Sequence, residues 1–212
     1  MNAAGRTIVL AGATSDAGLV AASRLLTAGA RVVATGRSAG RLEPLREAGA
    51  QVEVADATSL ESMAALAARL DSVDAVIPLV GGWRGGGGLS GQTDADFDAL
   101  MPALQAVRAT SRAFDSALQA SDAGRFAIVS STAVARPLAG GANYAAVKAA
   151  SEAWTRAVAH GFAKAARDAQ QPLRAASVVF RVKALDPEAL AAAAVALWDT
   201  DAAELNDTVI EL

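Results

Sequence analysis

The only tyrosine in the chain, Tyr144, is followed four residues later by Lys148. Residues four positions apart share one face of a helix, so the ammonium of Lys148 is expected beside the phenol. A neighbouring positive charge favours the ionised form of a phenol and so eases proton exchange near neutral pH. The pair therefore predicts a group that donates and accepts a proton during a reaction.

Ser131 comes thirteen residues before Tyr144 and ends an apolar run, RFAIVSS (125–131). In a strand, successive side chains point to opposite faces, so those of Ser131 and Ser130 are expected on different sides. The chain has one histidine, His160, and no cysteine, which excludes disulfides, thiolate sites and a histidine cluster. No metal site is predicted.

The elements that must position these residues alternate along the chain. Short runs rich in Val and Ile predict strands at 7–12, 30–35, 50–56, 74–80, 125–131, 174–180 and 207–212. Segments rich in Ala and Leu predict helices at 17–29, 40–48, 59–70, 94–120, 144–169 and 187–198. This alternation predicts an α/β fold: a single Rossmann-type, doubly wound parallel sheet of about seven strands flanked by helices. We expect one domain over residues 1–212.

The composition narrows the class of partner. The net charge of −3 argues against a nucleic-acid backbone or an anionic membrane as a partner. The longest apolar run, at 189–198, is too short to span a bilayer, and the N-terminus lacks the pattern of a secretory signal. We therefore expect a cytoplasmic protein that acts on a small-molecule substrate.

The segment AGATSDAG (11–18) joins the first predicted strand to the first predicted helix. Gly12 allows a tight turn there, and Gly18 allows close packing of the helix on the sheet. The backbone amides between them would face a pyrophosphate at the N-terminus of the helix, with Asp16 pointing to solvent. The predicted dinucleotide contacts in this turn are Gly12, Thr14, Ser15, Asp16, Ala17 and Gly18.

The second predicted strand is followed by Arg37, at the distance from the glycines where an NAD site typically has an acidic residue. A guanidinium suits the 2′-phosphate of NADP, so NADP(H) is preferred over NAD(H) as the cofactor. After the third predicted strand, Asp56 either contacts the adenine amino group or caps the helix that begins near Ser59.

The order of these features resembles the short-chain dehydrogenase/reductase family over nearly the whole chain. The resemblance is carried by the turn at 11–18, by Asp56, by the sequence VGG at 80–82, by the spacing of Ser131, Tyr144 and Lys148, and by the closing VIEL (209–212). It implies a proton transfer from Tyr144 to a carbonyl oxygen as hydride arrives from NADP(H). Ser131 would hold that oxygen, and Lys148 would also bind the nicotinamide ribose.

The resemblance further implies cofactor contacts from Ala57, Gly81 and Gly82. Family members usually form a homodimer or homotetramer, and the small-residue faces of the helices at 94–120 and 144–169 could pack across a two-fold axis.

The chain also departs from the family pattern. Leu104 occupies the place of a catalytic asparagine, and Phe180-Arg181 replaces a Pro-Gly after the sixth predicted strand. The glycine-rich segment GGWRGGGGLSG (81–91) either closes over the site, presenting Trp83 and Arg84, or is only a surface connection. The pocket wall is predicted to come from Trp83, Pro137, Leu138 and Phe180.

These departures leave other functions open. The chain could be a dinucleotide-binding sensor or scaffold with little redox activity. The sequence GGW after the fourth predicted strand resembles dihydropteridine reductases, which reduce a C=N bond. The same tyrosine could also serve a dehydration or an isomerisation.

Overall fold

Seven apolar segments of the computed structural model, which describes residues 3–212, form strands that pair side by side. The strands are β1 (Thr7–Ala11), β2 (Arg31–Gly36), β3 (Gln51–Val54), β4 (Ala75–Pro78), β5 (Arg125–Ser131), β6 (Ala176–Val182) and β7 (Thr208–Glu211). They form one parallel sheet in the order β3-β2-β1-β4-β5-β6-β7. The predicted Rossmann-type sheet is confirmed.

The helices follow the strands in alternation and cover both faces of the sheet. They are α1 (Asp16–Thr27), α2 (Ala39–Glu47), α3 (Leu60–Ala67), α4 (Asp94–Ala120), α5 (Ala142–Asp168), α6 (Pro187–Val195) and α7 (Ala202–Leu205). Two short 3-10 turns, Thr132–Val134 and Ala139–Gly141, lie between β5 and α5. Among residues 3–212, no helix has the length and apolar character that crossing a bilayer requires.

Two apolar layers hold the sheet between the helices. Because side chains alternate along a strand, Ile8 and Leu10 of β1 face one layer and Val9 faces the other. The first layer packs against α1 and α6, and the second against α3, α4 and α5. Every residue of β1 is buried, as expected for a strand covered on both faces.

The chain reverses direction along the sheet between β1 and β4, which pair with each other. At such a switch point the loops at the carboxyl ends of the strands diverge and leave a crevice. The residues after β1, β4, β5 and β6 are therefore the ones that the fold brings to a possible ligand site.

The predicted end of β6 is wrong in a way that affects the site. Strand β6 continues to Val182, which pairs with Ser131, so Phe180 lies inside the strand and not after it. The Phe180 side chain is fully buried in the first apolar layer. Phe180 therefore belongs to the core and does not form a pocket wall.

Candidate active site

A cavity of about 1120 Å³ opens at the carboxyl ends of β4, β5 and β6. Its lining residues come from the start of α1, from the segment after β4, from the segment between β5 and α5, and from the segment after β6. Ser131, Tyr144 and Lys148 all line this cavity. The three residues that sequence spacing singled out thus share one surface.

Lys148 is buried beneath the ring of Tyr144. Its Nζ lies 5.7 Å from the centroid of that ring, within the range of a cation–π contact, and donates to the carbonyl oxygen of Val129 at 2.8 Å. Burial lowers the pKa of Lys148 to about 8, and the nearby carboxylate of Glu152 partly opposes this shift. The lysine is therefore a desolvated cation at the cavity wall, and it loses its proton more easily than a surface lysine.

Ser131 is placed to act as a hydrogen-bond donor. Its Oγ accepts from the backbone N–H of Ala133 at 3.2 Å, which leaves the hydroxyl hydrogen for a ligand. The adjacent Ser130 is fully buried and donates to Oε1 of Glu152 at 2.6 Å. The two serines therefore point to different sides of β5, and of the two it is Ser131 that lines the cavity.

An ion pair lies beneath Lys148. Arg181 of β6 donates to Oε2 of Glu152 at 2.8 Å and to Oε1 at 3.2 Å. This hydrogen-bonded contact raises the pKa of Arg181. Arg181 is one of the residues that replace the Pro-Gly of the family pattern, and here it balances the carboxylate that faces Lys148.

The turn between β1 and α1 is tight in the way that its glycines predict. Gly12 has a φ of +80°, and a Cβ there would lie 2.5 Å from Cγ2 of Val80. A Cβ on Gly18 would lie 2.1 Å from the carbonyl oxygen of Ala13. Ser15 caps α1 by accepting from the N–H of Gly18 at 3.3 Å, and Asp16 is exposed in the first turn of the helix. The N-terminus of α1 is thus open towards the cavity, which Ser15 and Ala17 line.

The end of β2 lies beside this turn. The N–H of Gly12 donates to Oγ1 of Thr35 at 3.1 Å, and a Cβ on Gly36 would lie 2.5 Å from Cγ2 of Thr14. Arg37 follows directly and is exposed. Arg41, one turn further on, donates to the carbonyl oxygen of Thr14 at 3.1 Å. Arg41 therefore braces the turn, while Arg37 has no such contact within residues 3–212.

The contacts of Asp56 exclude one of the two roles predicted for it. Its Oδ1 accepts from the backbone N–H of Thr58 at 2.9 Å and from the hydroxyl of Thr58 at 2.8 Å. The cap of α3 is Ser59, which accepts from the N–H of Ser62. Asp56 thus closes a local turn and does not cap the helix, and the adenine contact stays a prediction. Ala57, beside it, is buried.

The predicted site residues divide into two groups along the sheet edge. The cavity is lined by Ser15, Ala17, Gly81, Gly82, Ser131, Tyr144 and Lys148. Outside its lining, around the ends of β1, β2 and β3, are Gly12, Thr14, Asp16, Gly18, Arg37, Asp56 and Ala57. Of the predicted wall, Trp83 and Leu138 line the cavity, and Pro137 and Phe180 do not.

Sequence reasoning missed several lining residues. Arg136 lies between the predicted Ser131 and Tyr144, and Val182, Lys183, Ala184 and Leu185 lie at the end of β6 or just after it. The rule that ligands bind at strand carboxyl ends would have found the second set, had the end of β6 been placed correctly. Of residues 3–212, no group of three or more His, Asp or Glu side chains is arranged to hold a metal ion.

The glycine-rich segment 81–91 is attached to the site. The N–H of Gly86 donates to the carbonyl oxygen of Gly140 at 2.7 Å, and a Cβ on Gly85 would lie only 2.4 Å from the same oxygen. Trp83 lines the cavity, whereas Arg84 donates to the carbonyl oxygen of Trp83 and does not line it. Leu104, at the place of the expected asparagine, belongs to a small apolar cluster that also includes Tyr144.

Comparison with known proteins agrees with this geometry. A sequence profile of the short chain dehydrogenase family matches residues 6–166. The chain belongs to this family. A search of curated proteins found no match.

Solved structures of short-chain dehydrogenases share the fold. A metagenomic short-chain oxidoreductase in complex with NADP is 26% identical, with a TM-score of 0.79 over 98% of this chain and 97% of the other. A short chain dehydrogenase from Salmonella enterica serovar Typhi is 20% identical, with a TM-score of 0.81 over 98% and 96% of the two chains. The RhlG/NADP complex of Pseudomonas aeruginosa is 20% identical, with a TM-score of 0.81 over 99% and 95%.

The residues of this chain fit a dinucleotide. The turn has no room for a side chain at Gly12 or at Gly18, and the N-terminus of α1, where free backbone N–H groups can bind an anion, opens on the cavity. The cavity continues from Ser15 and Ala17 to Tyr144, and its lining contains cations but no carboxylate. An elongated anion can therefore lie along the sheet edge, with one end at the turn and the other at Tyr144.

Proposed function

We propose that this short-chain dehydrogenase is an NADP(H)-dependent oxidoreductase that interconverts a carbonyl compound and its alcohol. The observation that carries the proposal is one cavity that holds Ser131, Tyr144 and Lys148 at one end and reaches the N-terminus of α1 at the other. The structural relatives with NADP support the choice of cofactor. Bound NADPH would supply the hydride.

Each residue has a distinct role in this proposal. Tyr144 donates a proton to the carbonyl oxygen in the reductive direction, and Ser131 donates a hydrogen bond that holds that oxygen in place. Lys148 keeps a positive charge beside the Tyr144 ring and offers its remaining N–H groups to the nicotinamide ribose. Gly81 and Gly82 also line the cavity, and because they have no side chains they leave room there for the cofactor.

The substrate is proposed to be an apolar carbonyl compound. Three large apolar side chains from three different segments line the cavity and are exposed: Trp83, Leu138 and Leu185, by 61%, 69% and 46%. A cluster of exposed apolar side chains at a cavity mouth is typical of a ligand site, because burying them beneath an apolar ligand is favourable. A small polar sugar is a poor match for this surface.

The first experiment tests Tyr144. NADPH consumption is measured with a panel of apolar ketones and aldehydes and with a quinonoid dihydropterin. We expect Tyr144→Phe to reduce kcat by roughly a thousandfold, the typical worth of a general acid, while NADPH binding stays unchanged. Equal activity of the two proteins would contradict the role of Tyr144.

The second experiment tests the preference for NADP. We expect Arg37→Gln to lower kcat/KM for NADPH about tenfold and to leave that for NADH nearly unchanged, because only NADPH carries the 2′-phosphate. Arg46→Gln is the matched control, since Arg46 is also an exposed arginine and contacts only Glu43 within residues 3–212. An equal loss with both nucleotides would contradict the assignment.

A binding function without redox chemistry is the second candidate. It is favoured by Leu104, an apolar residue that packs on the same small cluster as Tyr144, at the place where the family pattern has an asparagine. This candidate predicts tight NADPH binding and no turnover of any ketone, aldehyde or dihydropterin in the same experiment.

We also propose that the protein is a homodimer or homotetramer that packs through α4 and α5, and that it is cytoplasmic. Both helices are 27 residues long and present small side chains. Size-exclusion chromatography with light scattering tests the assembly, and a monomer at micromolar concentration would contradict it.

A further inference from the structure

The first turn of α5, which carries Tyr144, lacks a side-chain cap of its own. Its N-cap residue is Gly141, which has no side chain to accept from the free N–H groups of the helix. Other helices here have such a cap, among them Thr93 for α4 and Ser15 for α1. Something else must satisfy the N-terminus of α5.

Gln92 provides the missing acceptor from far along the chain. Its Oε1 accepts from the backbone N–H of Asn143 at 3.2 Å, a contact between residues 51 positions apart. The side chain of Asn143 donates to the carbonyl oxygen of Thr93 at 3.0 Å. Thr93 is the residue that caps α4, so the N-termini of α4 and α5 are joined by two hydrogen bonds.

The same Gln92 side chain also holds the glycine-rich segment. Its Nε2 donates to the carbonyl oxygens of Gly86 at 3.0 Å, of Gly140 at 3.1 Å and of Gly88 at 3.3 Å. The positive φ angles of 123° at Gly86 and 66° at Gly88 give a backbone conformation that L side chains rarely adopt. One amide group therefore ties three segments together: 86–88, 140 and 143.

We propose that Gln92 is a positioning residue for Tyr144. It acts through Asn143, the residue directly before the tyrosine, and through Gly140, which lines the cavity. Its loss would free the first turn of α5 and the segment that presents Trp83 at the cavity. The proposal rests on the proposed function for its effect on turnover, but not for its effect on the placement of Tyr144.

Because Tyr144 is the only tyrosine, selective labelling of tyrosine rings gives NMR signals from this residue alone. We expect Gln92→Met, which keeps the length and removes all polar contacts, to displace or broaden these ring signals. Amide exchange in peptides covering 84–91 and 140–145 should rise about tenfold, the size that follows from losing a cap and a hydrogen bond. Gln92→Glu keeps an acceptor for Asn143, so it should release mainly the peptide that covers 84–91.

The matched control is Gln119→Met. Gln119 is exposed, whereas Gln92 is half-buried, and Gln119 makes one local hydrogen bond, to Asp115 at 2.8 Å, within the described residues. It should change neither the ring signals nor the exchange. In turnover, Gln92→Met should lower kcat about tenfold and leave KM for NADPH within about twofold, because the nucleotide turn is untouched.

Ring signals and amide exchange of Gln92→Met that match those of the wild type would overturn the proposal. A wild-type protein that reduces no substrate would instead contradict the proposed function, and the ring signals would still decide whether Gln92 places Tyr144. A fall in kcat with unchanged ring signals would also overturn it, since the effect would then not pass through the position of the tyrosine.

Discussion

Strand β5 has a buried cation near each of its ends, and the two are held very differently. Arg125 begins the strand at the end of the sheet away from the cavity and is 1% exposed. Its guanidinium donates to the carbonyl oxygens of Leu197, Gly124, Arg174 and Thr200, at 2.8 to 3.3 Å. Lys148 lies near the other end and is 9% exposed. It donates to one carbonyl oxygen, that of Val129.

Burial lowers the pKa of both cations, to about 10 for Arg125 and to about 8 for Lys148. The guanidinium nevertheless has a carbonyl for nearly every N–H, so its donors are used up within the protein. The ammonium has three N–H groups and one protein partner among residues 3–212, and it faces a cavity. A buried cation with its donors satisfied holds the fold together, and one with donors left over is available to a ligand.

The largest change in stability is expected at Arg125, at the start of β5. We expect Arg125→Met to lower the free energy of unfolding by about 4 kcal/mol, because several buried carbonyls lose their donor and the segment 196–200 loses its anchor. Urea unfolding measures this loss. Arg24→Met is the matched control: Arg24 is 62% exposed and pairs only with Glu188 within residues 3–212, so a loss below about 0.5 kcal/mol is expected. Similar losses of unfolding free energy in Arg125→Met and Arg24→Met would contradict the stabilising role of the buried guanidinium.

The next effect is at the cavity end and depends on pH. The pKa of Lys148 is about 8 in the folded protein against an ordinary value of 10.5, so between these values the unfolded chain holds a proton that the folded chain has released. Folding stability therefore rises with pH across this window, and the gain is lost as the pH falls through 8. Relative to Lys148→Met, the wild type should gain roughly 3 kcal/mol over the window. Urea unfolding of both proteins at a series of pH values measures this gain. A difference in free energy of unfolding that stays constant from about pH 7 to about pH 11 would contradict the expectation.

The smallest effect comes from the carboxylate that faces Lys148. Because Glu152 raises the pKa of Lys148, we expect Glu152→Gln to move the midpoint of the same pH dependence to lower pH. The shift should be below about one pH unit, since burial is the larger cause. Glu47→Gln, at an exposed position on α2, should leave the midpoint in place. A midpoint that stays in place or moves upward would contradict the role of this carboxylate.

Much of the fold was predictable from the sequence because the signals are local. All seven strands and the six longer helices lie where the apolar runs and helical segments predicted them, apart from their ends. The largest errors in the predicted elements arose where contacts between segments far apart in the sequence set the end of an element. Strand β6 runs on to Val182 because β5 pairs with it as far as Ser131, and the short helix α7 had no periodic signal of its own.

Only part of the candidate site was predictable, namely the part that depends on local geometry. The spacing of Tyr144 and Lys148 depends on helical geometry, so their separation by four positions is enough to place both residues on one face. The lining residues Lys183 and Leu185 could not be found without the true end of β6. Asp56 was given two roles, and only its contacts with Thr58 removed one of them.

The alternation of strands and helices, the tight glycine turn and the placement of Tyr144 beside Lys148 on one helix face could be predicted from the sequence, since each depends on residues a few positions apart. The tertiary structure alone decided that Gln92 caps the helix of Tyr144, that Arg181 faces Glu152 and that four carbonyls enclose Arg125. These contacts join segments 29 to 75 positions apart, apart from the neighbour Gly124. No periodicity in a chain encodes which distant partner will lie opposite, because that depends on how the elements pack together.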